Sequence, residues 1–153
     1  AERYWPKFAG YRPTGVLEKY DNQLFPIRNG IRFSYGDLND LVALLQKDPT
    51  TRQAYLPAWF PEDLYAAVND KRVPCTLGYH FIVREGKMHV VYPMRSCDFV
   101  RHFRDDVYLA IRLLIWVLEQ SQLNVDPGTL TMHITSLHIF TSDYKKVTNE
   151  IRI

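Results

Sequence analysis

Two cysteines, Cys75 and Cys97, are all that the 153-residue chain carries. So few rule out a disulfide framework, and "AERYWPKFAG" at the start lacks the apolar core of a secretion leader. The expectation is reduced thiols in a cytoplasm. No apolar stretch approaches the length a membrane helix needs, so no membrane partner is expected. An excess of one charge is missing too. Nineteen Lys and Arg against 17 Asp and Glu leave a formal charge of +2, with no basic run resembling a nucleic-acid tail. The Arg101, His102 and Arg104 cluster is too short for a nucleic-acid footprint. Seven glycines form no phosphate-cradling loop. The five histidines, His80, His89, His102, His133 and His138, have neither metal-ligand spacing nor cysteine companions, so no metal is expected. What remains is 46% hydrophobic and 14% aromatic, enough to give one domain over residues 1–153 a real core.

Residues 1–33 are rich in Pro, Gly and aromatics without periodicity and read as irregular. "SYGDLNDLVALLQKDP" reads as a helix capped by Asp37, with Leu38, Leu41, Val42 and Leu45 on one face. "RQAYLPAWFPEDL", broken by Pro57 and Pro61, reads as an irregular edge strand. "TLGYHFIVREGKMHVVYPMRS" reads as two strands around a tight turn at Glu85–Gly86. Tyr79, Phe81 and Val83 point one way, with His80, Ile82 and Arg84 pointing the other. "DDVYLAIRLLIWVLEQSQL" is the strongest helix, apolar nearly all round, with Val107, Ala110, Ile111, Leu114 and Leu118 along one face. A helix of that kind is expected to be buried on most sides. "DPG" then reads as a turn and "LTMHITSLHIF" as a β-branched strand. The fold class is α+β, a mixed or antiparallel sheet packed on a long buried helix.

A free cysteine is most often a small buried hydrophobe, and that is the first reading of Cys75. Its surroundings argue otherwise. Pro74 stiffens the approach to the strand. An antiparallel hairpin then returns "MRSCD" to the strand's start, making Arg95 and Ser96 spatial neighbours of Cys75. A guanidinium beside a thiol favours the nucleophilic thiolate, and with a hydroxyl it also forms an anion site suited to a phosphate.

"DPTTRQAYLPAW", "RVPCTLGYHFIV", "MRSCDFVRHFRDDVYLAIRLL" and "LHIF" occur in an order that resembles the thymidylate synthase superfamily, which includes phage deoxypyrimidine hydroxymethylases. A weaker "ERYWPKFAGYR" opens the chain. The resemblance implies a folate-dependent one-carbon transferase, a cytoplasmic homodimer that uses 5,10-methylenetetrahydrofolate and a pyrimidine deoxynucleoside monophosphate. It implies that Cys75 adds to C6 of the pyrimidine and that Arg95 and Ser96 hold the 5′-phosphate. Arg52 resembles an arginine that reaches the phosphate bound in the partner subunit. Asp98 matches an aspartate contacting the pterin, and His138 a histidine bonding the sugar 3′-hydroxyl. It also implies that family portions before and after this chain are absent from it.

Departures from the pattern concern the base. Asp106 stands where the synthase has an asparagine that recognises uracil. A carboxylic acid carrying or sharing a proton matches the N3 acceptor and 4-amino donor of cytosine, so Asp106 implies a dCMP hydroxymethylase. His80 replaces a glutamine in the base pocket, Phe140 a sugar-contacting tyrosine, and Gln53 a second phosphate arginine. Thymidylate synthase or dUMP hydroxymethylase is the alternative, and a non-catalytic nucleotide-binding or dimerisation module is the rival from another class. Each residue also has a bland role. Arg95 could pair with Asp98, His138 could be a core histidine, and Arg52 could be solvated. Asp105 and Asp106 could serve only the positive end of a helix.

Overall fold

A computed structural model describes residues 38–150. The irregular reading of residues 1–33, the Asp37 cap and the "ERYWPKFAGYR" motif lie outside the described residues.

The first helix, α1 (Leu38–Lys47), buries Leu38, Leu41 and Leu45, which recur at helical spacing. Only Tyr55–Pro57 of the next segment is extended, as edge strand β1. The expected strand ends there because "PEDL" opens a helix, α2 (Pro61–Val68). Pro61 presets the backbone at the first helical position, and Asp63 Oδ2 accepts the Phe60 N–H at 2.9 Å.

Strands β2 (Gly78–Arg84) and β3 (Lys87–Met94) form the expected antiparallel hairpin. Its two-residue turn places Glu85 at φ 51° and Gly86 at φ 71°, the pair of positive angles that matches strand twist in a two-residue hairpin. Tyr79, Phe81 and Val83 are buried, as are Met88, Val90, Tyr92 and Met94 on the same side of β3. They form the core with α1 and the long helix α3 (Phe103–Ser121).

The buried stripe of α3 differs from the expected one. Leu109, Ala110, Leu113, Leu114, Val117 and Ser121 face inward, whereas Ile111 is 40% exposed. A helix lying on one sheet face buries a stripe, not its whole circumference. Among the described residues α1, β3 and the strand Asp126–Ile134 cover α3 along that stripe, with half-buried Trp116 and Leu118 packed beside it.

Gln122 ends α3 in the left-handed region at φ 54°. "DPG" is not a turn. It begins strand β5 (Asp126–Ile134), which runs parallel to β3 with Pro127 opposite Met88. Proline is tolerated at the start of a strand, where its missing N–H costs little. The sheet order is β1-β2-β3-β5, mixed as expected. Two short strands, β4 (Cys97–Asp98) and β6 (Leu137–His138), pair in parallel beyond it. A 3₁₀ turn (Thr141–Asp143) and helix α4 (Tyr144–Glu150) follow.

The sheet's second face carries half-buried His80, Ile82, His89, Val91 and Pro93, with Tyr55 and His133 exposed beside them. No helix among the described residues is long and apolar enough to cross a membrane.

Candidate active site

The hairpin closes at its open end on Cys75. Thr76 bridges Met94, and the Arg95 amide donates to the Cys75 carbonyl at 2.9 Å. Backbone pairing therefore makes Arg95 and Cys75 neighbours, as the sequence arithmetic requires. The Arg95 side chain is fixed by loop carbonyls: Nε donates to Pro74 O at 2.9 Å and Nη2 to Val73 O at 3.3 Å. Nη2 also lies 3.9 Å from the Cys75 sulfur. The guanidinium sits 5.5 Å from the Trp59 ring centroid, so an aromatic face covers the cation. Cys75 is half-buried and unpaired with Cys97, and Ser96 is half-buried beside Arg95. The first cluster is thus a partly accessible thiol with a preorganised guanidinium.

Behind it lies a buried polar group. The Cys97 thiol donates to Asp106 Oδ2 at 3.5 Å, joining β4 to the first turn of α3. Burial and the Asp106 charge push that thiol up to about 12. Tyr92 shares a 2.8 Å hydrogen bond with Thr76 and stacks on Tyr79 at 4.5 Å. Burial and Asp106 raise Tyr92 above the ordinary tyrosine range. Tyr79 is raised well above it, chiefly by burial, then by Tyr92. Asp106 is therefore not merely a helix-end carboxylate. It accepts the Cys97 thiol hydrogen, and its charge is felt by two phenols.

A third group surrounds Asp98. This side chain does not pair with Arg95. Its Oδ1 accepts the amides of Val100 and Arg101 at 3.0 and 3.1 Å, closing the turn into α3. Arg95 is occupied by the loop carbonyls, whereas Arg101 is three residues from Asp98 across that same turn, with Nε 3.5 Å from Asp98 Oδ2. Arg101 also donates to Asp143 at 2.6 Å and to Ser142 at 3.0 Å, and it covers the Phe140 ring at 4.8 Å. Asp98 is opposite His138 in the β4–β6 ladder, and the Phe99 amide donates to the His138 carbonyl at 2.9 Å. His138 is half-buried, not a core histidine, and its ring meets Phe140 edge-on at 5.3 Å.

Two expected site residues stand apart. His80 lies on the sheet face opposite Tyr79 and Phe81, because successive strand residues alternate sides. His80 is thus on the other face of the sheet from Tyr79 and Tyr92, the two phenols that feel the Asp106 charge. Its Nε2 lies 3.0 Å from the Arg52 carbonyl, and its ring packs on Tyr55 at 5.9 Å. Arg52 is exposed beside it, its carbonyl held by the His80 ring.

Trp59, Arg101, Thr76, Tyr79 and Tyr92 were not singled out for these roles by the sequence. Two polar phenols on the buried side of an otherwise apolar hairpin were the available signal. Trp59 follows "YLPA", where no periodicity fixes its direction.

The family model described as thymidylate synthase matches residues 3–152. A Methanosarcina barkeri protein named "Putative thymidylate synthase" is 30% identical over 149 residues, covering 89% of this chain and 66% of that relative. A thymidylate synthase of Rhizorhabdus wittichii is 22% identical over 140 residues, covering 92% of this chain and 41% of that relative. Among solved structures, thermostable thymidylate synthase A from Bacillus subtilis matches with a TM-score of 0.64 at 20% identity. That match covers 76% of this chain and 41% of the other, and it carries the fold. This chain thus spans just under two thirds of the length of its Methanosarcina relative. A match across nearly every residue places it: the chain belongs to the thymidylate synthase family.

Proposed function

We propose that the chain takes part in folate-dependent one-carbon transfer to C5 of a pyrimidine deoxynucleotide in the cytoplasm, with dCMP hydroxymethylation as the specific reaction. The observation that carries this reading is the Arg95 guanidinium fixed 3.9 Å from the sulfur of half-buried Cys75 in a chain of this family. The cation is already bound to two loop carbonyls, so it needs no reorganisation to serve an anion.

Cys75 adds as thiolate to C6, and the electron pair of the C5–C6 double bond moves to make C5 nucleophilic. Arg95, with Ser96, holds the 5′-phosphate and so orients the ring over the sulfur. Asp106 meets the base edge, donating to cytosine N3 when it carries a proton and accepting from the 4-amino group. His138 bonds the 3′-hydroxyl. Once C5 has gained the new carbon it releases its proton, water supplies the hydroxyl as that carbon's bond to the folate nitrogen breaks, and expulsion of the Cys75 sulfur restores the C5–C6 double bond.

Methylenetetrahydrofolate, when bound, supplies the one-carbon unit. Asp98 fits its pterin on one observation: Oδ2, though 3.5 Å from Arg101 Nε, is buried without a hydrogen bond and keeps acceptor capacity for a ring N–H. Phe140 leaves one hydroxyl contact to the sugar unmade. The second face of the sheet, with Arg52 and His80 at its edge, fits a two-fold partner that receives Arg52 at its phosphate.

Exchange of the C5 hydrogen of dCMP and of dUMP, measured with tetrahydrofolate present, tests the reading. Exchange favouring dCMP is expected. Exchange favouring dUMP would move the protein to the uracil branch. Nucleotide binding without exchange would leave a non-catalytic module.

A further inference from the structure

We propose that Cys97 is the positioning residue for Asp106, its thiol hydrogen holding one carboxyl oxygen as an acceptor and thereby fixing which edge of a base the carboxyl accepts. The inference rests on the reading that Asp106 meets the base.

The geometry is specific. Cys97 is 1% exposed, and its thiol donates to Asp106 Oδ2 at 3.5 Å. The backbone beneath it has no freedom to drift, since the Cys97 amide donates to Ser136 O at 2.9 Å and Cys97 is opposite Leu137 in the β4–β6 ladder. Asp106 is anchored from its own side, its amide bonded to His102 O at 2.8 Å as α3 begins. The thiol and carboxyl thus meet from two elements whose main chains are each fixed. Which element supplies the donor matters chemically. Tyr92 shares its hydroxyl hydrogen bond with Thr76, while the Cys97 thiol points at the carboxylate.

Among the described residues, the other groups this thiol interacts with electrostatically are Cys75 before β2, Tyr92 on β3 and Asp98 on its own strand. In that setting burial and the Asp106 charge keep the Cys97 proton in place up to about 12. Cys97 therefore acts as a donor at any working pH, not as a second nucleophile. A thiol hydrogen on Oδ2 leaves Oδ1 as the oxygen able to carry a proton. With Oδ1 towards N3 and Oδ2 towards position 4, that asymmetry suits the N3 acceptor and 4-amino donor of cytosine, whereas the N3–H of uracil would meet the Oδ1 proton. Cys97 touches neither base nor reacting atoms in this scheme. It acts through Asp106.

Two readouts test this, one of them independent of turnover. First, the S–H stretching band of Cys97, recorded by infrared spectroscopy in a Cys75→Ser background, reports its acceptor. Asp106→Asn is expected to shift that band, and an unmoved band overturns the contact. Second, dCMP and dUMP dissociation constants are measured by calorimetry for the parent, Cys97→Ala, Cys97→Ser and Asp106→Asn. Cys97→Ala is expected to narrow the dCMP-over-dUMP preference by about two- to tenfold, the value of one hydrogen bond. Cys97→Ser keeps a donor and is expected to restore most of that preference, and as the smaller change it keeps the test open if the alanine variant does not fold. A parent-like preference in Cys97→Ala, with Asp106→Asn altering it, overturns the role of Cys97 alone. A preference unmoved by Asp106→Asn overturns the base reading of Asp106, and this inference with it.

Discussion

At Cys75 the hairpin places a half-buried thiol beside a cation held by loop carbonyls. Arg95 is tied to Pro74 and Val73 carbonyls and capped by Trp59. Cys75→Ser keeps the size of the side chain and the guanidinium's other contacts, so nucleotide binding is expected to stay near the parent level while turnover falls to background. Retained turnover would remove covalent addition at this position. Asp106 carries the second prediction. Asp and Asn have nearly the same shape, and both serve a helix N-terminus, so exchanging them alters hydrogen-bond polarity more than packing. Asp106→Asn is expected to swing preference from dCMP towards dUMP by about ten- to hundredfold, or about 1–3 kcal/mol. Unchanged relative binding would leave Asp106 with a structural role. The Cys97 thiol belongs in the same account. The sequence offers no reason to connect Cys97 with a residue nine positions on, because the contact depends on the turn closed by Asp98 and on the phase at which α3 starts.

At the scale of elements, what was legible follows from short-range rules. The hairpin could be read because a two-residue turn with Gly86 at its second position fixes the register, and register alone brings Arg95 to Cys75. The end of β1 and the start of α2 were not read, because Pro57 and Pro61 both look like strand breakers. Only the second is a helix-opening proline with Asp63 two residues behind it. The phase of α3 was misjudged because a helix with apolar residues on several sides does not say which stripe the sheet will cover. "DPG" looked like a turn, yet the left-handed Gln122 had already redirected the chain. The hairpin and α3 together bury three acids that are neutral at ordinary pH: Cys97, Tyr79 and Tyr92. Each binds its proton more tightly in the folded chain. Stability from this cluster is therefore complete below the ordinary values of 9.0 for the thiol and 10.0 for the phenols. It is lost as pH climbs beyond them, with the thiol's share gone by about 12. Thermal melts between pH 7 and 11 are expected to fall steeply above about pH 9. Tyr92→Phe, which removes one of these acids, is expected to flatten the decline. A slope identical in both proteins would place the alkaline sensitivity elsewhere.

For the whole molecule, the question is what the second face of the sheet meets. One face is occupied by α1 and α3, while the other presents Ile82, Val91 and Pro93 with His80 and exposed Arg52 at its β1 edge. Arg52 meets the sheet at His80, on the face away from Tyr79, whereas Arg95 is tied to the loop carbonyls before β2. A two-fold pairing of these faces would let each subunit lend its Arg52 to the other, and an isologous interface makes that exchange reciprocal. Sedimentation of the parent at micromolar concentration is expected to give a dimer. Arg52→Ala is expected to weaken nucleotide phosphate binding without changing that mass. The decisive experiment combines two impaired chains. An Arg52→Ala protomer keeps Cys75 and lacks only what it lends, whereas a Cys75→Ser protomer lends Arg52 and lacks its own nucleophile. In a mixed dimer one of the two sites regains both residues. If subunits redistribute at random from an equal mixture, half the dimers are mixed and half of their sites are whole. About a quarter of the parent activity is therefore expected to return. Activity that stays at the level of the separate variants, in a sample shown to contain mixed dimers, would place Arg52 outside the partner's site.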